Sequence, residues 1–412
     1  MTEYGNVSAP TPAAAAAGAP GQAPDEQKVL RGIVMYATLM GFLSLLLLGA
    51  HRAYVRWNVE DGTPSSAARM EGIARILRLS YLSTMWFTIS VSLSLFNKFV
   101  YSFWNGGKYR YPVTLVTAHL AVKFFLASII MVRRGDVQRE RPSCKLYFSR
   151  LFIIGIMTGA DIGFNNWAVM ESAVSFVSVI RSMGVLATLS LSACMGLVRC
   201  NMKLLAAILV IITGSFLAVW KEPEFKFIGA VLALAALATG CIRWVFTQTV
   251  MQKEKMGIVP TIFFSSPSAI ASVFIMALIF ELPRMRIDGV RFSWSFLVDM
   301  TFAGCVGGVF AFLLLAVEFE LIRVTSAVST EVISKIKTMT LLVMTVAANG
   351  ERMNAVNVVG MVTISIGTVM YACIKQHMSV DEEGSVEEGQ QQSHRKNIKY
   401  SRVLQSVEEE DG

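Results

Sequence analysis

Eleven long apolar runs constrain the fold of this chain more than any other feature. Each is close to the ~20 apolar residues that a helix needs to cross a bilayer. Spans in lipid form helices because backbone groups without hydrogen bonds are costly there. The sequence therefore predicts an all-α polytopic membrane protein. The runs are Ile33–Ala50, Leu79–Phe103, Tyr111–Val132, Tyr147–Trp167, Ala173–Val198, Leu204–Trp220, Phe227–Met251, Thr261–Leu282, Phe296–Leu321, Thr325–Ala348 and Val356–Ile374.

The composition agrees with this class and excludes others. Of 412 residues, 54% are hydrophobic and 16% charged, whereas soluble domains are nearer ~25% charged. The six cysteines form no CxxC pair, and GxSxG, HExxH and P-loop motifs are absent. We therefore expect no enzyme activity, no cofactor and no metal site.

Basic residues set the expected orientation. One set of alternate loops holds roughly twice as many Lys and Arg as the other, so the positive-inside rule makes it cytoplasmic. This pattern explains the net charge of +8 without nucleic-acid binding. The C-terminus is then cytoplasmic and the N-terminus lumenal. Asn6, in the sequence Asn-Val-Ser, becomes a candidate for glycosylation.

The order of the runs divides the chain into segments. The first segment is rich in Ala, Pro and Gly and the last is polar, so neither can bury enough apolar surface to fold by itself. The predicted segments are a disordered N-terminal segment 1–27, an extra transmembrane helix 33–50, a cytoplasmic linker 51–78, a first five-helix half 79–221, a second five-helix half 226–375 and a disordered cytoplasmic tail 376–412.

Two stretches, Ser172–Lys221 and Ser326–Lys375, align without a gap. Both begin with SAVS and end with Lys, and they share nine identities in fifty positions. Arg181 aligns with Lys335. Because five spans separate the copies, they have opposite orientations, as in transporters with a site between inverted halves. The alternative is chance similarity between apolar helices.

The run Thr325–Ala348 contains three charges. A charge at this depth costs at least ~2.5 kcal/mol. Glu331 and Lys335 are four residues apart, so they can pair on one helix face. Lys337 lies roughly 200° from Lys335 around the helix and has no acidic residue three or four positions away. We interpret Lys337 as a cation for a substrate anion; a carboxylate on a neighbouring helix is the alternative.

Arg181 likewise has no carboxylate at helical spacing. Its planar guanidinium can bind two phosphate oxygens at once, and Ser175, Ser178 and Ser182 lie beside it. Arg181 and Lys337 together predict a cradle for a dianionic group. If both cations are unneutralised, their repulsion holds the empty site open and predicts obligatory exchange.

Other polar residues within the runs complete the predicted site. Asp161 is expected to pair with Lys98 or Arg243, and Glu320 lies three residues from Arg323. The predicted substrate-binding residues are Arg181, Lys337, Lys335, Lys98, His119, Lys123, Asn165 and Asn166, and the predicted structural or gating residues are Asp161, Arg243, Glu318 and Glu331.

Several motifs occur in order along residues 80–375: LFNKFVYS, RYPVTLVTAHL, ADIGFNNWA, VSFVSVIRS, GCIRWVFTQTVMQK and GGVFAFLLLAVEFELIRVTSAVS. With them the chain resembles the triose-phosphate/nucleotide-sugar transporter family of the drug/metabolite transporter superfamily. It looks most like the solute carrier 35 subfamily C, member 2-like branch, which is related to the GDP-fucose transporter.

The resemblance implies ten core helices in two inverted five-helix repeats, plus the extra N-terminal helix. It also implies basic residues on the fourth and ninth core helices that hold phosphate, here Arg181 and Lys337. The chain departs from the family where Arg181 replaces a usual Lys, Val185 a frequent Pro and Glu331 a small polar residue. The FxxxGALNK motif of GDP-mannose carriers is absent.

The expected function is antiport of a phosphate-bearing solute, a nucleotide sugar in the first place, against a nucleoside monophosphate. The resemblance implies the Golgi, with the ER or another endomembrane as the alternative. A membrane regulator without transport and a carrier of triose phosphate or another small solute remain open. Expected partners are the anionic substrate, its counter-substrate and the bilayer, with no nucleic acid; a homodimer is left open.

Overall fold

A computed structural model describes residues 26–60, 64–102, 111–172, 177, 180–198, 201–218, 227–287, 294–337, 355–356, 358–375 and 378. All regular secondary structure within these ranges is helical, as predicted. The principal helices are α1 Glu26–Glu60, α2 Pro64–Ser102, α3 Pro112–Arg134, α4 Phe152–Glu171, α5 Gly184–Cys194, α6 Met202–Ala218, α7 Phe227–Gln248, α8 Ile258–Phe280, α9 Trp294–Val324, α10 327–337 and α11 Val358–Lys375.

The helices match the predicted runs one for one. Among the described residues, eight helices are long and apolar enough to cross a membrane. Two shorter apolar helices, Ile180–Cys194 and Met202–Leu217, match two further runs, and α10 matches the remaining run, Thr325–Ala348, as far as residue 337. The chain is therefore an all-α polytopic membrane protein.

The predicted linker 51–78 is helical in both of its described parts, 51–60 and 64–78. α1 continues to Glu60 and α2 begins at Pro64, a residue that suits the first turn of a helix. Apolar runs mark the part of a helix that lipid can cover, and the helices continue beyond them into polar sequence. The disordered segments predicted for 1–27 and 376–412 lie outside the described residues, apart from the start of α1 and residue 378.

Glycines bring α4 and α8 into close contact. A Cβ atom added to Gly155 would lie 1.9 Å from Ser268 Oγ, and one added to Gly159 would lie 2.4 Å from Ser272 Oγ. Small residues four positions apart let membrane helices approach closely and gain van der Waals contact. This pair of glycines therefore fixes the distance between the two helices.

The same arrangement joins α9 to α3. A Cβ atom added to Gly304 would lie 2.9 Å from Ala118 Cβ, and one added to Gly308 would lie 2.5 Å from Val122 Cβ. Along each helix these residues repeat the spacing of the α4–α8 contact. In addition, α4 packs on α7 as well as α8, while α9 packs on α2 as well as α3. The contacts of α4 with α7 and α8 thus have a counterpart in the contacts of α9 with α2 and α3.

The two stretches that align in sequence also pack together. An apolar cluster joins α5 and α6 of the first copy to α10 and α11 of the second, so the matched cations approach each other in space. Its fully or nearly buried members are Val185, Leu189, Leu204, Ala207, Ile208, Ile211, Val328, Val332, Ile364 and Tyr371.

The shared SAVS and Lys of the repeat have a structural explanation in the second copy. The ammonium of Lys375 donates hydrogen bonds to the Ser326 hydroxyl, at 2.7 Å, and to the Ser329 hydroxyl. Ser326 Oγ also accepts from the backbone N–H of Ser329 at 3.2 Å, which caps the start of α10. Lys221 and Ser175, which align with Lys375 and Ser329, lie outside the described residues.

Glu281 ties the end of α8 to the start of α3. Its carboxylate accepts hydrogen bonds from the backbone N–H groups of Val113 and Thr114, both at 2.7 Å, and from the Thr114 hydroxyl at 2.6 Å. The first amides of a helix have no acceptor within that helix. A side chain from another helix therefore caps α3.

We expect Gly155→Ala to lower the thermal stability of the purified protein, because the new methyl group would also lie 2.4 Å from the Ser265 carbonyl oxygen. Overpacking of this kind costs about 1–3 kcal/mol. Gly49→Ala in α1 is the matched control, since its Cβ would have no atom within 4 Å, and we expect it to be neutral or slightly stabilising. Melting of both variants in detergent checks the prediction; equal melting temperatures would contradict it.

Candidate functional site

Arg181 has a carboxylate partner that helical spacing could not show. Its Nη1 atom donates to Asp161 Oδ1 on α4 at 2.9 Å and to Asn165 Oδ1 at 3.1 Å. The expectation that Arg181 is unpaired is therefore wrong, and so is the premise that both cradle cations are unneutralised. The partner is reached through the packing of α4 beside residue 181, a tertiary contact.

Asp161 continues the network to Arg243, one of the two partners predicted for it. Arg243 Nε lies 3.9 Å from Asp161 Oδ2, and Arg243 Nη1 lies 2.7 Å from Glu318 Oε1. The three side chains are only 9–14% exposed. Alternating charges of this kind are what a poorly hydrated interior requires, because an isolated buried charge is costly.

Lys335 makes the local pair that its spacing predicts. Its Nζ atom lies 3.1 Å from Glu331 Oε1 and also donates to the Arg181 carbonyl oxygen at 3.1 Å. Arg181 and Lys335 are the aligned positions of the repeat, 154 residues apart. The structure thus brings the two matched positions into direct contact between α10 and the residues just before α5.

Lys337 points to a different neighbour. Its ammonium lies 4.3 Å from the centre of the Trp86 ring on α2, within the range of a cation–π interaction. Trp86 in turn contacts Trp244, with ring centres 6.3 Å apart. Within the part of the chain that the structure describes, Lys337 has no ion pair, although Glu318 on α9 and Glu331 lie within electrostatic range of its ammonium.

His119 and Lys123 are both buried on α3. Among the residues that the structure describes, His119 Nε2 has no hydrogen-bond partner. A Cβ on Gly307 would meet this atom at 2.1 Å, so the ring packs on α9. Lys123 is 3% exposed and lies within electrostatic range of Arg243 and Glu318. Lys123 therefore joins the charged residues, whereas His119 belongs to the contact between α3 and α9.

Of the remaining predicted residues, one contacts the site, one bonds to its own helix and one has a side chain outside the described residues. Asn165 contacts Arg181, but the Asn166 amide donates to Ile162 O of its own helix at 2.9 Å. The side chain of Lys98 lies outside the described residues, as do Ser175 and Ser178. Away from the site, Glu320 pairs with Arg323 as predicted, at 2.6 Å, and also with Arg78 at 2.6 Å.

We call the charged residues that meet among α3, α4, α7, α9, α10 and the residues just before α5 the charge cluster. Among the described residues it has five cations and three carboxylates, which leaves two positive charges in excess. Such a balance favours a ligand with two negative charges. The cluster consists of Lys123, Asp161, Arg181, Arg243, Glu318, Glu331, Lys335 and Lys337.

The sequence analysis did not identify two glutamines that connect helices: Gln248 at the end of α7 and Gln252 in the π-helical turn Thr249–Lys253 that follows it. Gln252 Nε2 donates to the carbonyls of Ile322 and Arg323 at 3.0 and 3.3 Å, and Gln248 Oε1 accepts from the Ala327 N–H at 2.9 Å. They tie α7 to the end of α9 and the start of α10. Two amides one turn apart in an apolar run were the signal that could have revealed them.

Comparisons with known proteins agree on one family. The sequence profile of the Triose-phosphate Transporter family matches residues 77–372. A protein of Arabidopsis thaliana with the provisional name sugar phosphate/phosphate translocator is 27% identical over 344 residues, covering 82% of this chain and 83% of that protein. A protein of Saccharomyces cerevisiae, provisionally named a nucleotide-sugar transporter, is 23% identical over 184 residues, covering 41% of this chain and 42% of that protein.

A solved crystal structure resembles the fold. It superposes with a TM-score of 0.53 at 13% sequence identity, over 72% of this chain and 98% of that chain. At this identity the likeness concerns the fold alone. It shows that most of the helical part of the chain adopts an arrangement already seen by experiment.

Proposed function

We propose a transport function for this protein, which belongs to the Triose-phosphate Transporter family. It is a secondary-active antiporter that carries a phosphate-bearing solute, in the first place a nucleotide sugar, in exchange for a nucleoside monophosphate. The relatives named above for sugar phosphates and nucleotide sugars support this substrate class. The proposed location is a Golgi membrane, with the C-terminus in the cytoplasm.

The charge cluster is the observation that carries the proposal. Two positive charges in excess, inside a helical membrane protein, offset the cost of bringing a dianion to membrane depth. Lys337, which has no described ion pair and rests on Trp86, provides a point charge for a phosphate oxygen. Neutral solutes would gain nothing from this arrangement.

Arg181 can take part although it is paired. The contacts to Asp161 and Asn165 both use Nη1, and a guanidinium has five N–H donors. The side chain is 37% exposed, so further donors are open to a ligand. We propose that Arg181 and Lys337 hold the phosphate groups, and that Lys335 and Lys123 contribute charge from beside them.

A sugar phosphate exchanged for inorganic phosphate is the second candidate. The observation that favours it is the length of the match to the Arabidopsis thaliana relative, 344 residues against 184 for the yeast relative named for nucleotide sugars. Both candidates share the phosphate group and the same cluster. They differ in what surrounds the phosphate, which only a transport assay separates.

Reconstitution tests the proposal. Proteoliposomes preloaded with GMP, UMP, CMP or inorganic phosphate would be offered labelled nucleotide sugars and triose phosphates. We expect one class of phosphate-bearing solute to be taken up faster than into protein-free vesicles. If no member of the panel is taken up under any loading, the proposal fails and the alternative of a membrane regulator without transport is favoured.

A further inference from the structure

We propose that the indole N–H groups of Trp86 and Trp244 are ligand-binding donors that bond to phosphate oxygens of the transported solute. This inference rests on the proposed function and adds two uncharged residues to the binding site. It concerns how the site recognises phosphate and leaves exchange as the mode of transport.

Both indole N–H groups are buried donors without an acceptor. Trp86 is 1% exposed and Trp244 is 7% exposed, and among the described residues neither Nε1 atom has a hydrogen-bond partner. An indole nitrogen can only donate, so only an acceptor atom can satisfy it. Buried polar groups in native proteins are nearly always hydrogen-bonded, and each exception calls for an explanation.

An apolar cluster contains both rings, which explains why the N–H groups find no acceptor in the described part of the protein. The rings contact each other with their centres 6.3 Å apart, and Val245, Val317 and Leu321 pack in the same cluster. Burying an N–H group without a partner costs free energy, and a phenyl ring in either position would avoid that cost. Two such donors side by side therefore indicate an acceptor that the protein itself does not supply.

Each ring also lies against a cation of the charge cluster. Lys337 Nζ lies 4.3 Å from the centre of the Trp86 ring, and Arg243 Cζ lies 5.6 Å from the centre of the Trp244 ring. A phosphate group held by charge-assisted bonds beside these cations brings several acceptor oxygens to the same place. The indole N–H groups then complete its coordination as neutral donors.

The two rings belong to different halves of the chain. Trp86 lies on α2 of the first half and Trp244 on α7 of the second, so their contact closes part of the boundary between the halves. A carrier built from inverted halves admits its solute when one half moves against the other. Such a movement separates the rings and opens the N–H groups to the solute between them.

The test replaces each Trp with Phe, which lacks the N–H group but keeps an aromatic face for the neighbouring cation. Labelled GMP, UMP, CMP, inorganic phosphate, triose phosphates and nucleotide sugars serve as probes for the reconstituted full-length carrier. For the probe that the native protein takes up fastest, we expect Trp86→Phe and Trp244→Phe each to raise the half-saturating concentration about tenfold or more, the effect of one lost hydrogen bond to a charged acceptor.

Trp167→Phe is the matched control. It makes the same change on α4, where the indole already donates to Glu171 Oε1 at 3.3 Å, and we expect the native half-saturating concentration. Melting temperatures without probe would show which variants fold. A second measurement needs no variant: in native protein with 15N-labelled indoles, two of the seven Trp N–H proton signals should move downfield on addition of the same probe, because a new hydrogen bond deshields the proton.

Three results would overturn the inference. An unchanged half-saturating concentration in a folded variant removes that tryptophan from the binding site. An equal rise in Trp167→Phe shows that the effect does not come from the unpaired N–H groups, and the absence of any downfield movement shows that the indoles do not bond to the probe. If the native protein takes up none of the probes, the proposed function itself fails; native uptake with unchanged saturation in both variants overturns only this inference.

Discussion

Replacing Lys337 with Ala is expected to abolish the stabilisation of the carrier by its phosphate-bearing ligand, while Lys335→Ala is expected to destabilise the protein itself. Lys337 rests on Trp86 and has no ion pair within the described ranges, so its removal leaves no buried acid behind. Lys335, by contrast, neutralises Glu331 and donates to the Arg181 carbonyl. The two lysines are two residues apart but have different neighbours and different expected roles.

The expected magnitudes separate the two effects. A ligand at a hundred times its Kd stabilises a protein by about 2.7 kcal/mol, which Lys337→Ala should remove. Leaving a buried carboxylate without its partner costs about 3 kcal/mol or more, which Lys335→Ala should show without ligand. Thermal melting with and without GMP measures both. Lys253→Ala, which loses an exposed contact to Met195 O at 3.1 Å, is the control. If Lys337→Ala and Lys335→Ala lose ligand stabilisation equally, the two lysines do not have the different roles expected here.

Arg243→Met is expected to be the most destabilising single change in the charge cluster. Arg243 is the neighbour that Glu318 and Asp161 share, at 2.7 and 3.9 Å, and its removal leaves Glu318 without the partner shown here. Breaking a buried pair in this way costs about 3–5 kcal/mol. We expect a large fall in melting temperature and in the yield of monodisperse protein.

A double variant tests the electrostatic reason for that loss. Arg243→Met combined with Glu318→Gln removes both charges of the close pair, so no isolated acid remains, and replacing a buried pair by uncharged groups is often nearly neutral. The double variant should therefore be more stable than Arg243→Met alone, so that its destabilisation is smaller than the sum of the two single destabilisations. If its stability is equal to or below that of the single variant, packing rather than charge explains the role of Arg243.

The sequence was sufficient where a feature depends on local spacing. Apolar runs predicted every principal helix because lipid demands about the same length of each span. The Glu331–Lys335 pair followed from four-residue spacing on one helix. The sequence analysis did not predict that α1 and α2 extend into residues 51–60 and 64–78. Hydropathy identifies the part of a helix that lipid covers and does not show whether the helix continues into the polar sequence beside it.

Hydropathy and residue spacing along one helix could not predict contacts between different helices. The Arg181–Asp161 pair depends on α4 packing beside residue 181, and the position of Trp86 under Lys337 depends on where α2 meets α10. Glu281 caps the start of a helix about 170 residues away in the chain, and a glutamate at the end of an apolar run looks like any boundary residue. Only the tertiary arrangement identifies these partners.

The role of Lys337 in binding phosphate is tested by comparing exchange by the native protein and by Lys337→Gln, in vesicles loaded with the phosphate-bearing solute that the native protein takes up fastest. We expect rapid exchange by the native carrier, no exchange of an unphosphorylated analogue, and loss of exchange in the variant despite native-like melting without ligand. Equal exchange by both proteins, or native exchange of the unphosphorylated analogue, would contradict this expectation.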